Sequence, residues 1–198
     1  MREILYGRNV VYESLRAKRR ALFSLQVLES VKPSPRIDQI LQLAAADRVP
    51  VSRVPRLKLD DPEVNHQGVA LEAGPYPYID LTDILDRAHE AGEPPFILIL
   101  DALQDPQNFG ALLRTAEIVG VHGAIIPLAR TVQVTPAVVG ASAGASEYLY
   151  IAPSNLAQAV DALKEAEVWV VGLDARGQVL GPNTDRHLRG ALALVVGS

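Results

Sequence analysis

The second half of the chain alternates short apolar runs with segments of helical periodicity. The run Phe96–Leu100 is followed by a polar loop, a helical pattern over Ala111–Val119 and a second apolar run, Ala124–Pro127. Strand, loop, helix and strand in this order form the unit of a parallel α/β sheet. The same alternation predicts further strands at Tyr148–Ile151, Val168–Leu173 and Ala191–Val196, and further helices at Pro136–Ala143 and Asn155–Glu165, the latter with Ser154 as its N-cap. The strands are almost continuous apolar runs, which is typical of a parallel sheet covered by helices on both faces.

The first 74 residues predict a smaller α/β unit. Their patterns indicate helices at Val10–Lys18 and Arg36–Asp47, and strands at Ala21–Leu28, Val49–Val54 and Gly68–Ala73. The segment Gly74–Tyr78 reads GPYPY, and its prolines and glycine disfavour the interior of both helices and sheets. We therefore predict one domain over residues 1–74, a linker and connecting helix over 75–95, and a second domain over 96–198.

Composition places the chain among cytoplasmic globular proteins. Apolar residues make up 48% of the 198 positions, which is enough for real cores. No apolar run approaches the roughly 20 residues of a membrane span, and the N-terminus has no apolar signal-peptide segment. The chain has no cysteine, and its four histidines show no zinc-binding spacing, so no metal site is predicted.

Charge is unevenly distributed along the chain. Residues 1–74 carry 12 Lys and Arg against 9 Asp and Glu, a net charge of +3. Residues 75–198 carry 7 against 14, a net charge of −7. A basic first part favours a polyanionic partner, although ordinary surface variation explains a difference of this size about as well.

The stretch Leu100–Ile126 carries the strongest candidate chemistry. Its loop follows a predicted strand, and ligands bind at the carboxyl ends of strands in open α/β sheets. Asn108 lies in the loop that opens the helix, Gly110 permits close backbone approach, and Arg114 lies further along within the helix. The alternative is structural, with Asn108 as a plain N-cap and Arg114 paired with Glu117.

Four other motifs carry weaker signals. Asp101 and Asp105-Pro106 favour a turn over a metal site or an acid–base pair. The small residues from Gly140 to Ser146 permit close packing, but they form no dinucleotide fingerprint, and the chain has no P-loop. Gly197 directly follows a predicted buried strand, where a cofactor can meet the backbone. The segment Asn65–Gly68 permits either contacts of His66 and Gln67 with nucleotide bases or phosphates or a simple turn with glycine in the left-handed region.

Together these residues resemble a known family. The segment Asn108…Gly110-Ala111…Arg114-Thr115-Ala116, preceded by Leu100-Asp101…Asp105-Pro106, resembles motif one of the SpoU (TrmH-type) RNA ribose 2′-O-methyltransferases. Ser142–Ala145 is similar to the second helix region of that family, and Leu194–Ser198 is similar to the opening of its motif two. Tyr6-Gly7…Val10…Glu13-Ser14-Leu15 and His66–Val69 resemble an RNA-binding domain like certain ribosomal proteins. The nearest subgroup methylates a guanosine ribose in large-subunit ribosomal RNA.

The resemblance implies an α/β fold with a trefoil knot and a small N-terminal α/β RNA-binding domain. In the family, the rest of motif two and motif three build the knot and most of the S-adenosylmethionine pocket. Those residues would follow Ser198, so the knot segment is expected to be missing and the chain to be truncated or incomplete. The apolar strand Ala191–Val196 at the very end supports this expectation, because a parallel strand normally feeds a further covering element.

The resemblance also assigns roles to individual residues. Arg114 and Asn108 are the expected catalytic residues, and Gly197 and Ser198 are expected to bind S-adenosylmethionine. A guanidinium remains protonated in proteins, so we expect Arg114 to hold a phosphate and stabilise charge on the ribose oxygen, with Asn108 orienting Arg114 or the ribose. The residues expected to contact RNA are Arg16, Arg19, Arg20, Arg53, Arg56, His66 and Gln67.

The resulting hypothesis is an S-adenosylmethionine-dependent methyltransferase that acts on a ribose 2′-hydroxyl, in a guanosine of large-subunit ribosomal RNA. A homodimer formed through the C-terminal domain, no membrane association and a cytoplasmic location are expected with it. The alternatives are a transfer-RNA 2′-O-methyltransferase and a non-catalytic RNA-binding or ribosome-assembly protein. A dinucleotide-dependent dehydrogenase is disfavoured because the glycine fingerprint is missing.

Overall fold

The computed structural model describes residues 2–59, 64–179, 181 and 188–197. Two sheets are present in this part of the chain, one of four strands and one of five. The residues divide into two compact units. The first unit comprises residues 1–77, 106–114 and 133–148, and the second comprises residues 78–105, 115–132 and 149–198.

The first sheet is mixed. Its strands are β1 (Glu3–Tyr6), β2 (Leu22–Leu28), β3 (Val51–Val54) and β4 (Val69–Ala73), in the order β1-β4-β2-β3. β4 is antiparallel to both of its neighbours, while β2 and β3 are parallel. Two helices accompany this sheet, α1 (Arg8–Ala17) and α2 (Pro35–Ala46). They pack against each other and bury Leu15, Ile37 and Ile40 together with Leu25 and Leu71 of the sheet.

The second sheet is entirely parallel among its described strands. These are β5 (Phe96–Asp101), β6 (Gly123–Pro127), β7 (Ile151–Ser154), β8 (Trp169–Gly172) and β9 (Leu192–Gly197), in the order β7-β6-β5-β9-β8. Four helices lie in this part of the sequence, α3 (Leu81–Ala91), α4 (Pro106–Ile118), α5 (Pro136–Ala141) and α6 (Leu156–Glu165). A short 3₁₀ helix follows α5 at Ala145–Glu147.

The core of the second unit lies on one face of its sheet. Ile97 and Ile99 of β5 and Ile125 of β6 pack there with Ile84 of α3 and Leu163 of α6. The intervening residues of β5, Leu98 and Leu100, are buried as well. The side chains on both faces of β5 are therefore buried, which explains why its sequence is continuously apolar.

The predicted fold class, a parallel-sheet α/β domain with a small N-terminal α/β unit, is confirmed. Most predicted boundaries agree with the structure within two residues, and three predictions are wrong. The strand predicted at Tyr148–Ile151 lies at Ile151–Ser154, the N-cap of α6 is Asn155 and not Ser154, and α4 begins at Pro106, five residues before the predicted start. Strand β1 was not predicted. No helix in the described ranges is long and apolar enough to cross a membrane.

Candidate functional site

The carboxyl ends of β5 and β9 lie side by side in the second unit. Asp101 is the last residue of β5 and pairs in register with Gly197, the last residue of β9. Both residues are exposed. A Cβ atom added to Gly197 would have one close neighbour, the Asp101 Cβ at 3.9 Å, which is an ordinary contact. The glycine is therefore not required by packing within the sheet, and its main effect is to leave the backbone at this strand end uncovered.

The loops that follow β5 and β6 are tied together. The backbone carbonyl of Leu103 accepts a hydrogen bond from the backbone N–H of Val132 at 2.9 Å. The same carbonyl accepts one from the Thr131 hydroxyl at 3.0 Å. Ala102 adopts a left-handed backbone conformation, with φ 54°, immediately after β5. These contacts fix the rim of the sheet at the end where ligands bind in open α/β folds.

A cavity of about 630 Å³ lies at the end of β8, the strand next to β9. Its lining includes Trp169, Gly172, Leu173 and Asp174. The cavity runs along β8 and the loop that follows it, and Gly172 pairs in register with Val195 of the neighbouring strand β9. Its volume falls within the range of small-molecule sites, about 300–1,000 Å³.

Asn108 lies within the first turn of α4 and not in the preceding loop. The loop is shorter than predicted because Pro106 starts the helix, a position where proline is favoured. Asn108 is exposed and Phe109, the next residue, is completely buried. Asn108 is therefore not the N-cap that the structural alternative assumed.

Arg114 is held on a firmly packed helix. Phe109 and Leu113, four residues apart, are both fully buried and define the inner face of this part of α4. Gly110 packs so closely against α5 that an added Cβ would lie 2.5 Å from the Ala141 Cβ. Arg114 is exposed, and the salt bridges of the described residues do not include it, so the alternative pairing with Glu117 is absent there.

The structure does not bring Asn108 into contact with Arg114. Six residues of α-helix separate them by about 9 Å along the axis and by roughly 120° around it. No hydrogen bond joins the two side chains in the part of the chain that the structure describes. The expectation that Asn108 orients Arg114 directly is therefore wrong in this conformation.

The segment after α5 contains a buried ion pair that sequence reasoning missed. The Arg20 side chain is completely buried and donates from Nε and Nη2 to the Glu147 carboxylate at 2.9 Å each. Its Nη1 donates to Glu3 at 2.6 Å and to the Gly74 carbonyl at 3.0 Å. Burial raises the pKa of the Glu147 carboxyl, and the hydrogen bonds from Arg20 offset part of this rise. The only sequence signal was a glutamate among small and apolar residues.

Two tyrosine hydroxyl groups form hydrogen bonds near this ion pair. The Tyr148 hydroxyl donates to the Glu13 carboxylate at 2.7 Å, and burial together with this hydrogen bond raises the pKa of Tyr148. The Tyr76 hydroxyl donates to the Ser146 carbonyl at 3.2 Å, and burial raises the pKa of Tyr76 to about 12. The close packing predicted for the small residues is present at Gly144, where an added Cβ would lie 2.8 Å from the Glu13 Cβ.

The five arginines predicted to contact RNA separate into three groups. Arg16, Arg53 and Arg56 are exposed. Arg19 is half-buried and donates to the Tyr76 hydroxyl and to two backbone carbonyls, those of Pro77 and Glu147. The prediction for Arg20 is wrong, because its guanidinium is buried and fully committed to Glu147, Glu3 and Gly74.

His66 and Gln67 form a turn before β4. The Nδ1 atom of His66 accepts from the backbone N–H of Gly68 at 3.0 Å, and Gly68 has a φ of +85°. The Gln67 side-chain carbonyl accepts from the backbone N–H of Arg8, the first residue of α1. The turn interpretation therefore holds, while the exposed face of Gln67 still allows a ligand contact. Ser198 lies outside the described residues.

Comparison with known families identifies the class of protein. Residues 95–198 match the model of the SpoU rRNA methylase family, and residues 4–79 match the model described as RNA 2′-O ribose methyltransferase substrate binding. A fold of this kind, with these two matches, defines an RNA methyltransferase.

Proteins similar in sequence align with almost the whole chain. The Bacillus subtilis protein YacO, whose name assigns it to the TrmH family of tRNA/rRNA methyltransferases, is 39% identical over 99% of this chain and 78% of its own length. A Staphylococcus aureus protein named for the same family is 36% identical over 98% of this chain and 78% of its own length. The chain thus belongs to the SpoU (TrmH) family of RNA methyltransferases.

A solved structure shares the fold. The SpoU methyltransferase AviRb from Streptomyces viridochromogenes, crystallised with AdoMet, superposes with a TM-score of 0.72. The alignment covers 98% of this chain and 72% of AviRb, at 17% sequence identity. At this identity the comparison supports the architecture of the two α/β parts.

Proposed function

We propose that this chain methylates the ribose 2′-hydroxyl of a guanosine in large-subunit ribosomal RNA, with S-adenosylmethionine as the methyl donor. The observation that carries the proposal is Arg114, an exposed guanidinium without an ion-pair partner among the described residues, on a helix fixed by buried neighbours. An unpaired cation on a rigid element is suited to bind a phosphate and to stabilise developing negative charge.

The residues at the end of β9 fit the proposed cofactor. Gly197 presents exposed backbone at a strand end, and the neighbouring cavity at the end of β8 offers apolar walls with the carboxylate of Asp174 at its edge. Apolar walls with a few polar groups are the usual lining of a small-molecule site. When bound, S-adenosylmethionine would supply an activated methyl group. Gly197 would hold it through the backbone, and Ser198 stays a predicted contact.

Arg114 would act on the RNA. Its planar guanidinium can bind the phosphate next to the target ribose through two parallel hydrogen bonds. In that position it lowers the cost of negative charge on the 2′-oxygen as the proton leaves. A guanidinium is a poor base because it remains protonated in proteins, so the proton would pass to another acceptor.

Asn108 would contact the RNA independently of Arg114. It is exposed in the first turn of α4, next to backbone N–H groups that have no partner within a helix. Its amide can both donate and accept, which suits a ribose hydroxyl or a base edge. We therefore retain Asn108 as a positioning residue of the proposed site, without the direct hydrogen bond to Arg114.

Substitution of Arg114 tests this role. We expect Arg114→Ala to lower kcat for RNA methylation by about 100- to 1,000-fold, the typical effect of removing one group that stabilises transition-state charge. Because Arg114 is exposed and unpaired, the midpoint of urea unfolding should change little. Lys164→Ala, at another exposed cation on α6, is the matched control and should leave kcat unchanged. Full turnover by Arg114→Ala would remove Arg114 from the mechanism.

The substrate distinguishes two versions of the proposal, since the names of the relatives include both tRNA and rRNA. The chain should be offered transcripts of large-subunit ribosomal RNA and bulk transfer RNA in parallel. Methylation of transfer RNA alone would assign the chain to the transfer-RNA version. Calorimetric titration of the full-length protein with S-adenosylmethionine separates both from a non-catalytic RNA-binding protein, which needs no cofactor affinity. The homodimer and the cytoplasmic location stay predictions.

A further inference from the structure

A line of cationic and aromatic side chains runs along α1 of the first unit. Arg8, Tyr12 and Arg16 follow each other at intervals of four residues, so they lie on one side of the helix, spaced by about 6 Å. The guanidinium of Arg36, from the first turn of α2, lies over the Tyr12 ring at 4.0 Å from its centroid. Stacking of this kind fixes a guanidinium in plane against the ring.

A cleft of about 540 Å³ lies at the N-terminal end of this line. Arg8, Lys32 and Gln67 are among its lining residues. Arg8 is held there by three contacts: its backbone N–H donates to the Gln67 side chain at 3.0 Å, its Nε to the Gln67 carbonyl at 3.1 Å, and its Nη1 to Ser34 at 3.3 Å. These contacts leave Nη2 of Arg8 without a partner among the described residues.

The surface keeps its positive charge. Arg8, Lys32 and Arg36 have no carboxylate partner among the salt bridges of the described residues. Arg16 is only loosely paired, with Glu13 at 4.0 Å, and its side chain is 62% exposed. Lys18, in contrast, is paired with Asp47. Arg48, Arg53, Arg56 and Lys58 are likewise absent from these salt bridges, so the start of α1 and α2 is distinguished by cations that lie next to an aromatic ring and a cleft.

We propose that Arg8, Tyr12, Lys32 and Arg36 form the surface of the first unit that binds an unpaired segment of the RNA substrate. The cleft between Arg8 and Lys32 takes a phosphate, and the stacked pair of Tyr12 and Arg36 takes a base. Unpaired RNA is recognised by this combination, because splayed bases stack on aromatic rings and guanidinium planes while cations hold the backbone. The inference rests on the proposed RNA substrate and names the surface that binds it.

Binding of a labelled RNA hairpin to the full chain tests the proposal. The probe is a fluorescein-labelled hairpin with a single-stranded loop, and a blunt duplex of the same stem is measured beside it by fluorescence anisotropy. Lys32→Gln and Arg36→Gln should each weaken hairpin binding about 5- to 20-fold. Each should also reduce the slope of log K against log salt concentration by about one, the equivalent of one phosphate contact. Tyr12→Leu should weaken hairpin binding and leave duplex binding nearly unchanged.

Arg48→Gln and Lys58→Gln, at two exposed cations on either side of β3 that are not among the expected RNA contacts, provide a matched loss of charge elsewhere in the same unit and should change hairpin binding less than twofold. Circular dichroism confirms that each variant is folded. The proposal is overturned if the combined Tyr12→Leu, Lys32→Gln and Arg36→Gln chain binds the hairpin like the native chain, or if the Arg48 and Lys58 variants lose as much affinity. Competition by polyglutamate as effective as that by RNA would assign the surface to an acidic protein partner instead.

The two proposals fail separately. If no RNA is methylated but hairpin binding depends on Lys32, Arg36 and Tyr12, the binding surface stands and the proposed activity falls. If methylation proceeds while these variants bind the hairpin unchanged, the activity stands and the surface is wrong.

Discussion

At Gly110 the packing between α4 and α5 leaves no room for a side chain. A Cβ atom at this position would lie 2.5 Å from the Ala141 Cβ and 2.9 Å from both the Ser142 nitrogen and the Val138 carbonyl oxygen. Two of these neighbours are backbone atoms, which cannot move without shifting α5. The sequence indicated a close approach at Gly110, but only the structure shows that the approaching group is a second helix.

We expect Gly110→Ala to lower the free energy of unfolding by about 1–3 kcal/mol, the usual cost of overpacking. Gly140 in α5 is the matched control, because a Cβ there meets no atom within 4 Å. Gly140→Ala should be neutral or stabilise by up to about 1 kcal/mol, since alanine is the better helix former. Urea unfolding measures both. Equal effects of the two substitutions would mean that the α4–α5 contact is looser than the structure shows.

At the scale of elements, the sequence predicted most helices and strands because their periodicity is strong. The errors have local causes. Tyr148 looked like the start of a strand, but its hydroxyl bonds Glu13 and it follows the short 3₁₀ helix, so β7 begins at Ile151. Pro153 is tolerated within β7 because this is an edge strand. Strand β1 was missed because four residues at a terminus carry too little pattern.

Helix α6 gives a direct test of a boundary. The Asn155 side chain accepts hydrogen bonds from the backbone N–H groups of Ala157 at 3.0 Å and Gln158 at 3.3 Å. We expect Asn155→Ala to destabilise the protein by about 1 kcal/mol, the typical value for a lost N-cap. Ser154→Ala, at the residue that the sequence favoured as the cap, should change stability by less than about 0.5 kcal/mol. Thermal unfolding of the two variants decides between the residues, and a larger loss at Ser154 would contradict the structure.

At the scale of the whole molecule, contacts between distant parts of the sequence escaped prediction. Arg20 and Glu147 are separated by 127 positions, and no periodicity connects them. When only the sequence was considered, the positive charge of Arg20 indicated an RNA contact. Asn108, Arg114 and Gly197 could be chosen from the sequence because they sit in motifs with a recognisable order, and their roles stay predictions. The trefoil knot that the resemblance implies stays a prediction.

The buried ion pair should be essential as a pair. Arg20→Met leaves the Glu147 carboxylate buried without its main partner, and we expect a loss of about 3–5 kcal/mol in the free energy of unfolding. Replacing both residues with methionine removes the uncompensated charge and should recover most of that loss. Urea denaturation at neutral pH measures the free energy of unfolding of the native chain, of Arg20→Met and of the double variant. A double variant as unstable as Arg20→Met alone would show that the loss comes from packing and not from the unpaired charge.

The central claim is methyl transfer to a ribose 2′-oxygen of RNA, and the most direct measurement identifies the methylated nucleoside. The full-length protein is incubated with S-adenosylmethionine carrying a labelled methyl group and with large-subunit ribosomal RNA lacking modifications, and the RNA is digested to nucleosides for mass spectrometry. We predict label in 2′-O-methylguanosine, at a phosphodiester that resists alkaline cleavage because its 2′-oxygen is blocked. Label on a base, or no label in any RNA offered, would contradict the account.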